Sequence, residues 1–354
     1  MIDAQTATLN SCGGLGSQEN TLQLIREQKV ATSFADSSSY NQIEVCPNHF
    51  EASDVLLYRD SQMIFVVFDN TYHIGTICTP FGQSFNCTDQ LLAWPDASLA
   101  TTDSQFEGIT YNSINDTYFV AQETIQTEMK EVFRANIFEI RIILTDSTPI
   151  RVLESCIVNW DFPTDNKGIE GLEFVTHQGS GHSYLLGLCE ANDCNPKSTS
   201  NNNGRILVLE KKEATKASLC SWEPVGTLVI PSTVHFDDYS SLSIYHRKAN
   251  ELPAYVAVSS QLMSQVWVGM IEEINQAPFF SLSSLNNNTI YDLPRTHAAT
   301  SECRIKYCNL EGVAWQGEYE LILVSDKAKN NQGTQCIEQE QSVHYFFIPQ
   351  NFSN

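Results

Sequence analysis

Three short segments of the chain place a glutamate directly before a glycine, at the start of a run of apolar, strand-forming residues. The segments are "SQFEGITYNS", "NKGIEGLEFV" and "YCNLEGVAWQ", and their glutamates are Glu107, Glu170 and Glu311. A carboxylate at a strand entrance can accept backbone hydrogen bonds and so cap the strand, or it can bind a cation. The repetition of one pattern at three separate places favours a shared cation site.

Two further runs, "SDVLLYR" and "SSLSIY", begin with a serine at the equivalent position. Aligning the five runs gives one set of oxygen-bearing side chains, which we name the inner column. Carboxylates that face one another need a counter-charge, and Ca²⁺ takes six to eight oxygen ligands. We therefore predict a Ca²⁺ site with the ligands Ser53, Glu107, Glu170, Ser240 and Glu311.

The strands that follow in each repeat also end in polar residues, which we name the outer column. We expect this column to surround the same opening as an acidic funnel, with Glu51 and Asp54 beside it. Glu51 and Asp69 are the candidate catalytic residues, since a carboxylate near a bound ion would orient or activate water. The outer column consists of Asp69, Glu123, Glu190, Ser260 and Asp326.

The elements that must position these columns are pairs of short β-rich runs separated by Gly, Asn, Asp, Ser and Pro. Five such pairs recur, from "SDVLLYR" with "MIFVVFD" to "EGVAW" with "LILVSD", and most are followed by two weaker runs. Four strands per repeat around a ring form a β-propeller, in which the first strand of each repeat lines a central channel. The sequence predicts an all-β protein with a single five-bladed propeller; six blades remain an alternative.

The last repeat ends with a third strand, "SVHYFFIP", and needs a fourth from elsewhere. We predict that an N-terminal strand near Gln42–Cys46 completes it, because closing the ring removes exposed sheet edges. The predicted domains are an N-terminal extension at 1–40 and the propeller at 41–350. Two runs, "ENTLQLIREQ" (19–28) and "TIQTEMKEVFRA" (124–135), are predicted to be helical.

Composition restricts the partners of the chain. Its 354 residues carry a formal net charge of −22, which disfavours nucleic acid and anionic membrane surfaces and suits metal ions. No apolar run is long enough to span a membrane. The segment "MIDAQTATLN" lacks the apolar core of a signal peptide.

Eleven cysteines point to an oxidising, extracellular setting and hence to a secreted protein. We predict disulfides mostly within repeats, with a local bridge between Cys78 and Cys87 and at least one unpaired thiol. Four tripeptides match the acceptor motif for N-glycosylation. They begin at Asn86, Asn115, Asn287 and Asn351.

The order Ser, Glu, Glu, Ser, Glu on five repeats resembles the calcium-activated nucleotidases, or soluble apyrases. "FEASDVLLYRDSQMIFVVFDNT" (50–71) is similar to the first blade of that family, "DYSSLSIY" to its fourth and a Glu-Gly strand to its fifth. The resemblance implies a secreted five-bladed propeller with one Ca²⁺ in its channel, held by the inner column. It also implies that Glu51 and Asp69 lie near a substrate site. Glu-Gly strands likewise resemble the esterase-like, phytase-like secreted propellers.

The chain departs from the nucleotidases where they bind phosphate. That family places Arg and Lys around the phosphates, whereas the strand ends here carry Lys327 as their only basic residue. We therefore expect a secreted calcium-binding propeller that acts as a non-catalytic extracellular module, with a protein or glycan partner. The alternatives are a Ca²⁺-dependent hydrolase of nucleotides or phosphate esters, and a glycan-active enzyme.

Overall fold

The computed structural model describes residues 20–34, 50–58, 63–79, 87–99, 102–127, 132–191, 194, 203–215, 219–248, 251–285, 290–297 and 303–349. These residues are almost entirely β-strands and the turns between them. The described chain begins with β1 (Gln23–Lys29) and a short helix, α1 (Val30–Phe34).

Three antiparallel meanders of four strands follow in chain order. The first contains β2 (Ala52–Leu57), β3 (Met63–Phe68), β4 (His73–Cys78) and β5 (Gln90–Ala93). The second contains β6 (Phe106–Asn112), β7 (Thr117–Gln126), β8 (Phe133–Ile142) and β9 (Ile150–Val158). The third contains β10 (Ile169–His177), β11 (His182–Cys189), β12 (Arg205–Lys212) and β13 (Ser221–Val229).

The fourth meander contains β14 (Ser241–Tyr245), β15 (Ala254–Ser260), β16 (Gln265–Glu273) and β17 (Phe280–Ser284). A short strand, β18 (Ile290–Asp292), also pairs with β16, and β19 (Arg295–His297) pairs with β20 (Cys303–Ile305). The last sheet contains β21 (Leu310–Gly317), β22 (Glu320–Ser325) and β23 (Ser342–Phe347), with α2 (Thr334–Gln339) between the final two strands. All five strand pairs expected from the sequence are present as adjacent antiparallel strands.

The last sheet is completed by an N-terminal strand, as predicted, but the strand is β1. The sequence analysis assigned these residues to a helix and to an extension outside the propeller, and both assignments are wrong for 23–29. Pairing with β23 overrides the local helical pattern because it satisfies the backbone groups of a sheet edge. The segment near Gln42–Cys46 lies outside the described residues.

The second expected helix, at 124–135, is also wrong. Its first residues continue β7 to Gln126, and its last residues belong to β8, which pairs antiparallel with β7. The apolar residues at its two ends therefore follow the two-residue alternation of strands and do not form one face of a helix.

The first strands of the five sheets contact one another in a closed order: β2, β6, β10, β14, β21 and again β2. Each of five hydrophobic clusters lies between two neighbouring sheets; for example, Leu186 and Val208 of the third meander pack with Val256 and Trp267 of the fourth. Burying the faces of each sheet against its two neighbours gives the chain a propeller-like all-β architecture with the inner strands around one axis.

The described cysteines form four disulfides, which fits the oxidising compartment predicted for the chain. The local bridge between Cys78 and Cys87 is confirmed. Cys189–Cys194 and Cys308–Cys336 also lie within one repeat each. Cys156–Cys220 instead joins the second meander to the third, where β9 and β13 pair in parallel at only two residues of each strand.

We expect the bridge between meanders to stabilise the fold more than a local one. In the chain-entropy model, a loop of 64 residues is worth about 4 kcal/mol and one of five about 2 kcal/mol. Cys156→Ala with Cys220→Ala should therefore lower the unfolding free energy, measured by denaturant titration, more than Cys189→Ala with Cys194→Ala. The second pair is a matched control because all four cysteines are buried in one cluster. Equal losses would contradict this expectation.

Candidate functional site

Four of the five inner-column residues lie at a β-bulge near the start of an inner strand. In each of these strands the pairing register skips one residue, and a residue skipped in this way is left out of the ladder and can turn its side chain toward the axis. The fifth, Ser240, directly precedes β14, and its N–H donates to the carbonyl oxygen of Ser259 at 3.1 Å. The skipped residues are Ser53, Glu107, Glu170 and Glu311.

The glycine after each of these glutamates is required by the neighbouring inner strand. A Cβ on Gly171 would lie 2.6 Å from the backbone nitrogen of Leu242, and one on Gly312 would lie 2.9 Å from Cα of Asp54. Separations below 3 Å are steric clashes with backbone, which cannot move aside. The Glu-Gly pattern therefore combines a bulge that aims a carboxylate with a residue that lets two strands approach closely.

Where the glycine is absent, a polar side chain bonds to the next strand instead. Asp54 accepts a hydrogen bond from the N–H of Ile109 at 2.9 Å, and Ser241 accepts one from the N–H of Val313 at 3.0 Å. The Ser241 hydroxyl donates to Asp54 at 2.7 Å. Burial raises the pKa of Asp54 well above its ordinary value. Asp54 therefore closes the channel below the inner column. The sequence analysis placed it at the mouth of the channel, and that placement is wrong.

The outer column is held beside the inner column by a repeated backbone hydrogen bond. In four repeats, the N–H of the outer residue donates to the carbonyl oxygen of the residue two positions before the inner one. Ser260 departs from the prediction: it is fully buried, and its hydroxyl donates to Asp238 at 2.6 Å. The four bonds run from Asp69 to Glu51, Glu123 to Gln105, Glu190 to Gly168, and Asp326 to Asn309.

Together these residues surround a pocket with a volume of about 820 Å³. All five inner-column residues line it, as do Glu51 and four of the five outer-column residues. Two lysines, Lys167 and Lys329, are the basic residues among its lining. We name it the carboxylate pocket after its ten acidic residues, Glu51, Asp69, Asp103, Glu107, Glu123, Glu170, Glu190, Asp238, Glu311 and Asp326.

The three inner-column glutamates lie deep in the protein, yet the pocket leaves each of them only partly buried. Burial raises the pKa of Glu107 well above its ordinary value, and the charge of Glu170 raises it further. Burial likewise raises the pKa of Glu170, with added repulsion from Glu123. Burial and then Asp326 raise the pKa of Glu311. A group of carboxyls that suppress one another's charge in this way is stabilised by a bound cation.

The tightest acidic group combines the two columns. Oxygens of Glu123, Glu170 and Glu190 all lie within 4.8 Å of one another. Glu123 accepts a hydrogen bond from the N–H of Gly168 at 3.2 Å, and Lys167 forms an ion pair with Glu190. Burial, followed by the charge of Glu190, raises the pKa of Glu123 to about 7. Carboxyl oxygens clustered in this way can either bind a hard cation or, where one of them keeps its proton, act as an acid beside a base.

A second described cluster, Glu154 with Cys156 and Cys220, does not fit a metal, because both sulfurs are bonded to each other.

Sequence reasoning missed several residues of the pocket that lie just before the inner column. Asp238, two positions before Ser240, accepts hydrogen bonds from the N–H of Leu262 and thereby fixes the turn that carries Gln261. The Gln261 amide in turn donates to Glu311. The signal was available, because the sequence analysis had already named Glu51, which lies two positions before Ser53 in the first repeat. Gln105 and Glu51 occupy the equivalent position in other repeats.

One hydrogen-bonded chain resembles a catalytic triad but lies in the closing sheet. His344 is 3.0 Å from the Ser325 hydroxyl and 3.1 Å from Glu27, and these three residues belong to β23, β22 and β1. Ser325 and His344 are fully buried. A hydroxyl without access cannot attack a substrate, so the chain is a polar connection across the ring closure.

A further carboxylate points toward the opposite end of the channel. Glu173, three residues after Glu170 on β10, accepts hydrogen bonds from the N–H of Ile244 at 2.8 Å and the hydroxyl of Thr110 at 3.1 Å. Burial raises the pKa of Glu173 from 4.5 to about 7. The folded protein therefore keeps a proton on Glu173 to a higher pH than the unfolded chain does.

Glu173 should reduce stability as pH rises. Between pH 4.5 and about 7 the folded state binds a proton at Glu173 that the unfolded state has lost, so the unfolding free energy falls through this window. Glu173→Gln removes the charge and keeps the shape. Its melting temperature relative to wild type should be higher at pH 8 than at pH 5. Glu272→Gln, on an exposed part of β16, is the control. A relative melting temperature that is the same at both pH values would contradict this assignment.

Within the described residues, no helix is long and apolar enough to cross a membrane. Of the predicted glycosylation sites, Asn115 is exposed in the turn between β6 and β7. Asn86, Asn287 and Asn351 lie outside the part of the chain that the structure describes.

The fold and the pocket define an all-β, propeller-like protein with an acidic axial site. No protein-family model and no curated protein matches the chain. Among solved structures, it is similar to the PQQ-bound form of an aldose sugar dehydrogenase from Streptomyces coelicolor, at 10% identity and a TM-score of 0.44 over 84% of this chain and 94% of that one.

A GH43_1 enzyme from Xanthomonas citri complexed with xylose gives 8% identity and a TM-score of 0.46, over 84% and 87% of the two chains. An alpha-L-arabinofuranosidase from Lactobacillus brevis gives 12% and 0.42, over 84% and 89%. Because these values are low, the class of this chain follows from its own sheets and pocket.

Proposed function

We propose that the chain is a five-bladed β-propeller whose carboxylate pocket is the active site of a hydrolase for neutral, hydroxyl-rich substrates such as glycans. The blade count is supported by the closed order of the five inner strands. Each of them begins a set of four hydrogen-bonded strands, and the second and third sets are joined through β9 and β13 into one eight-stranded sheet. The observation that carries the function is the open pocket of about 820 Å³ that reaches the clustered oxygens of Glu123, Glu170 and Glu190.

The openness of the pocket favours an enzyme over the non-catalytic module expected from the sequence. An ion that only ties strands together needs a closed shell of ligands, whereas this site has room for a ligand of several rings. Clustered carboxyls with raised pKa values, such as Glu123, in a cavity of this size are typical of catalytic sites.

The charge of the pocket selects the substrate class. Ten carboxylates and two lysines line it, and one of those lysines, Lys167, is paired with Glu190. Lys327, the basic residue noted at a strand end, is paired with Glu51. Such a field repels nucleotides and phosphate esters, because their recognition depends on cationic donors. Hydroxyl groups are neutral and donate hydrogen bonds to carboxylates, so a glycan suits this lining.

Glu123 and Glu190 suit the two carboxyl roles of glycoside hydrolysis. The buried Glu123 would protonate the leaving oxygen, and Glu190, paired with Lys167, would act as the ionised carboxylate. Oxygens of the two carboxylates lie within 4.8 Å of each other. Such a close pair favours the retaining arrangement, with carboxyl groups about 5 to 5.5 Å apart, over the inverting one, with about 6.5 to 9.5 Å. Glu51 and Asp69 line the same pocket and would orient water or substrate hydroxyls.

The inner column would hold Ca²⁺ through the carboxylates of Glu107, Glu170 and Glu311. The Ser240 hydroxyl lies 2.8 Å from the carbonyl oxygen of Leu310, to which it donates, and its oxygen keeps lone pairs for a cation. The ion would offset the negative charge of the pocket and bind substrate hydroxyls. Ser53 and Ser240 complete the proposed set of ligands.

Hydrolysis is tested with aryl glycosides and soluble polysaccharides, alongside ATP and phosphate esters, with Ca²⁺ or a chelator. We expect sugar release without phosphate release. Glu123→Gln should lower kcat about 10²-fold or more, because it removes the proton donor. Glu190→Gln should do the same by removing the second carboxylate.

Glu272→Gln should leave the rate unchanged. Glycan binding without hydrolysis would contradict the enzyme proposal and support a non-catalytic module. Release of phosphate would support the nucleotidase resemblance instead.

Calcium binding is measured by calorimetry and by thermal melting. An ion that binds only the folded protein should stabilise it by about 2.7 kcal/mol at a hundredfold excess over its dissociation constant. Glu170→Gln should weaken binding because one charged ligand is lost, and Glu107→Gln and Glu311→Gln should act alike. The exposed Glu272→Gln should not. The site would be refuted if calorimetry detected no heat of Ca²⁺ binding and if neither chelator nor Glu170→Gln changed the melting temperature.

A further inference from the structure

The channel has a second cavity at the end opposite the carboxylate pocket. It has a volume of about 220 Å³ and is lined by residues of all five inner strands. We name it the distal cavity. Asp54 and Ser241 separate the two spaces, because the residues before them line the carboxylate pocket and the residues after them, Val55 and Leu242, line the distal cavity. The two cavities can therefore bind different ligands.

The lining of the distal cavity differs sharply from that of the carboxylate pocket. Ten of its fifteen lining residues are aliphatic or aromatic, with Ile109, Leu242 and Ile244 among the aliphatic ones and Trp315 as an aromatic wall. The Trp315 ring is fixed by a hydrogen bond from its N–H to the carbonyl oxygen of Ser243 at 3.2 Å. Cavities of this kind, apolar with a few placed polar groups, are typical ligand sites.

Glu173 is the one acidic residue among the described residues that line the cavity, and neither lysine nor arginine lines it. The side chain is only partly buried, because the cavity reaches it. The hydrogen bonds from Thr110 and Ile244 come from neutral groups, which orient the carboxylate and leave its charge uncompensated. His246 also lines the cavity, and its Nδ1 lies 3.0 Å from the carbonyl oxygen of Glu251.

A carboxylate without a counter-ion in an apolar cavity attracts a cation. Ca²⁺ does not suit these walls, since it needs at least six oxygen ligands and Glu173 is the one carboxylate among the lining residues. An alkylammonium ion suits the cavity better. Its ammonium group would pair with Glu173 or lie against the Trp315 ring, and its alkyl chain would contact the aliphatic walls. The volume of about 220 Å³ corresponds to roughly seven water molecules, which limits the ligand to a small amine.

We propose that the distal cavity is a second binding site, specific for a small primary ammonium ion that pairs with Glu173. The proposal is independent of hydrolysis in the carboxylate pocket.

Methyl NMR on the full chain tests the site and locates it. The probe is isobutylamine at pH 8 in physiological salt, and isobutanol is the neutral probe of the same shape. We expect saturable shifts at the methyl groups of Ile109, Leu242 and Ile244, while the methyl groups of Leu262 in the carboxylate pocket stay unchanged. Isobutanol should bind at least about tenfold more weakly, because it carries no charge.

Glu173→Gln should remove the shifts caused by isobutylamine, and the exposed Glu272→Gln should retain them. Shifts confined to Leu262 would place the amine in the carboxylate pocket and overturn the proposal. Equal affinities for the amine and the alcohol would overturn recognition of charge, and so would the absence of saturable shifts. Should Glu173→Gln not fold, the comparison of the two probes on the wild-type chain decides alone.

Discussion

The close approach of the inner strands around the axis is the constraint on which the rest of the structure depends. At Gly171 and Gly312 a single added carbon would meet the backbone of the next strand. Asp54 and Ser241 solve the same problem by hydrogen bonding to that strand. The position occupied by Gly171, Gly312, Asp54 or Ser241 faces the neighbouring inner strand. The residue before it therefore faces the axis, and its side chain lines the pocket.

The same constraint brings several carboxylates together in one pocket, where they are partly shielded from water and repel one another. Glu107, Glu170 and Glu311 reach one pocket from distant parts of the sequence, and burial together with mutual repulsion raises the pKa of each. Without a compensating charge, such a group lowers the stability of the folded state. The proposed Ca²⁺ would offset this cost.

Much of this arrangement could be predicted from the sequence. Alternating apolar residues identified the five strand pairs, and the repeated Glu-Gly identified residues that do converge on one pocket. The prediction failed where a distant contact decides the outcome. Residues 23–29 carry a helix-like pattern, yet pairing with β23 makes them a strand. Ser260 fits the outer column by alignment, but its hydroxyl is used by Asp238, a partner 22 residues away.

The closing sheet has a consequence for how the chain is made. Glu27 and His344, which touch across it, are 317 residues apart, so β1 cannot pair with β23 until residues 342–347 have left the ribosome. Contacts between such distant residues form late, because a long loop must close first. During synthesis the first strand is an unsatisfied edge that can pair with other chains. The ring can therefore close only after β23 has been synthesised, whatever the rest of the chain has already folded into.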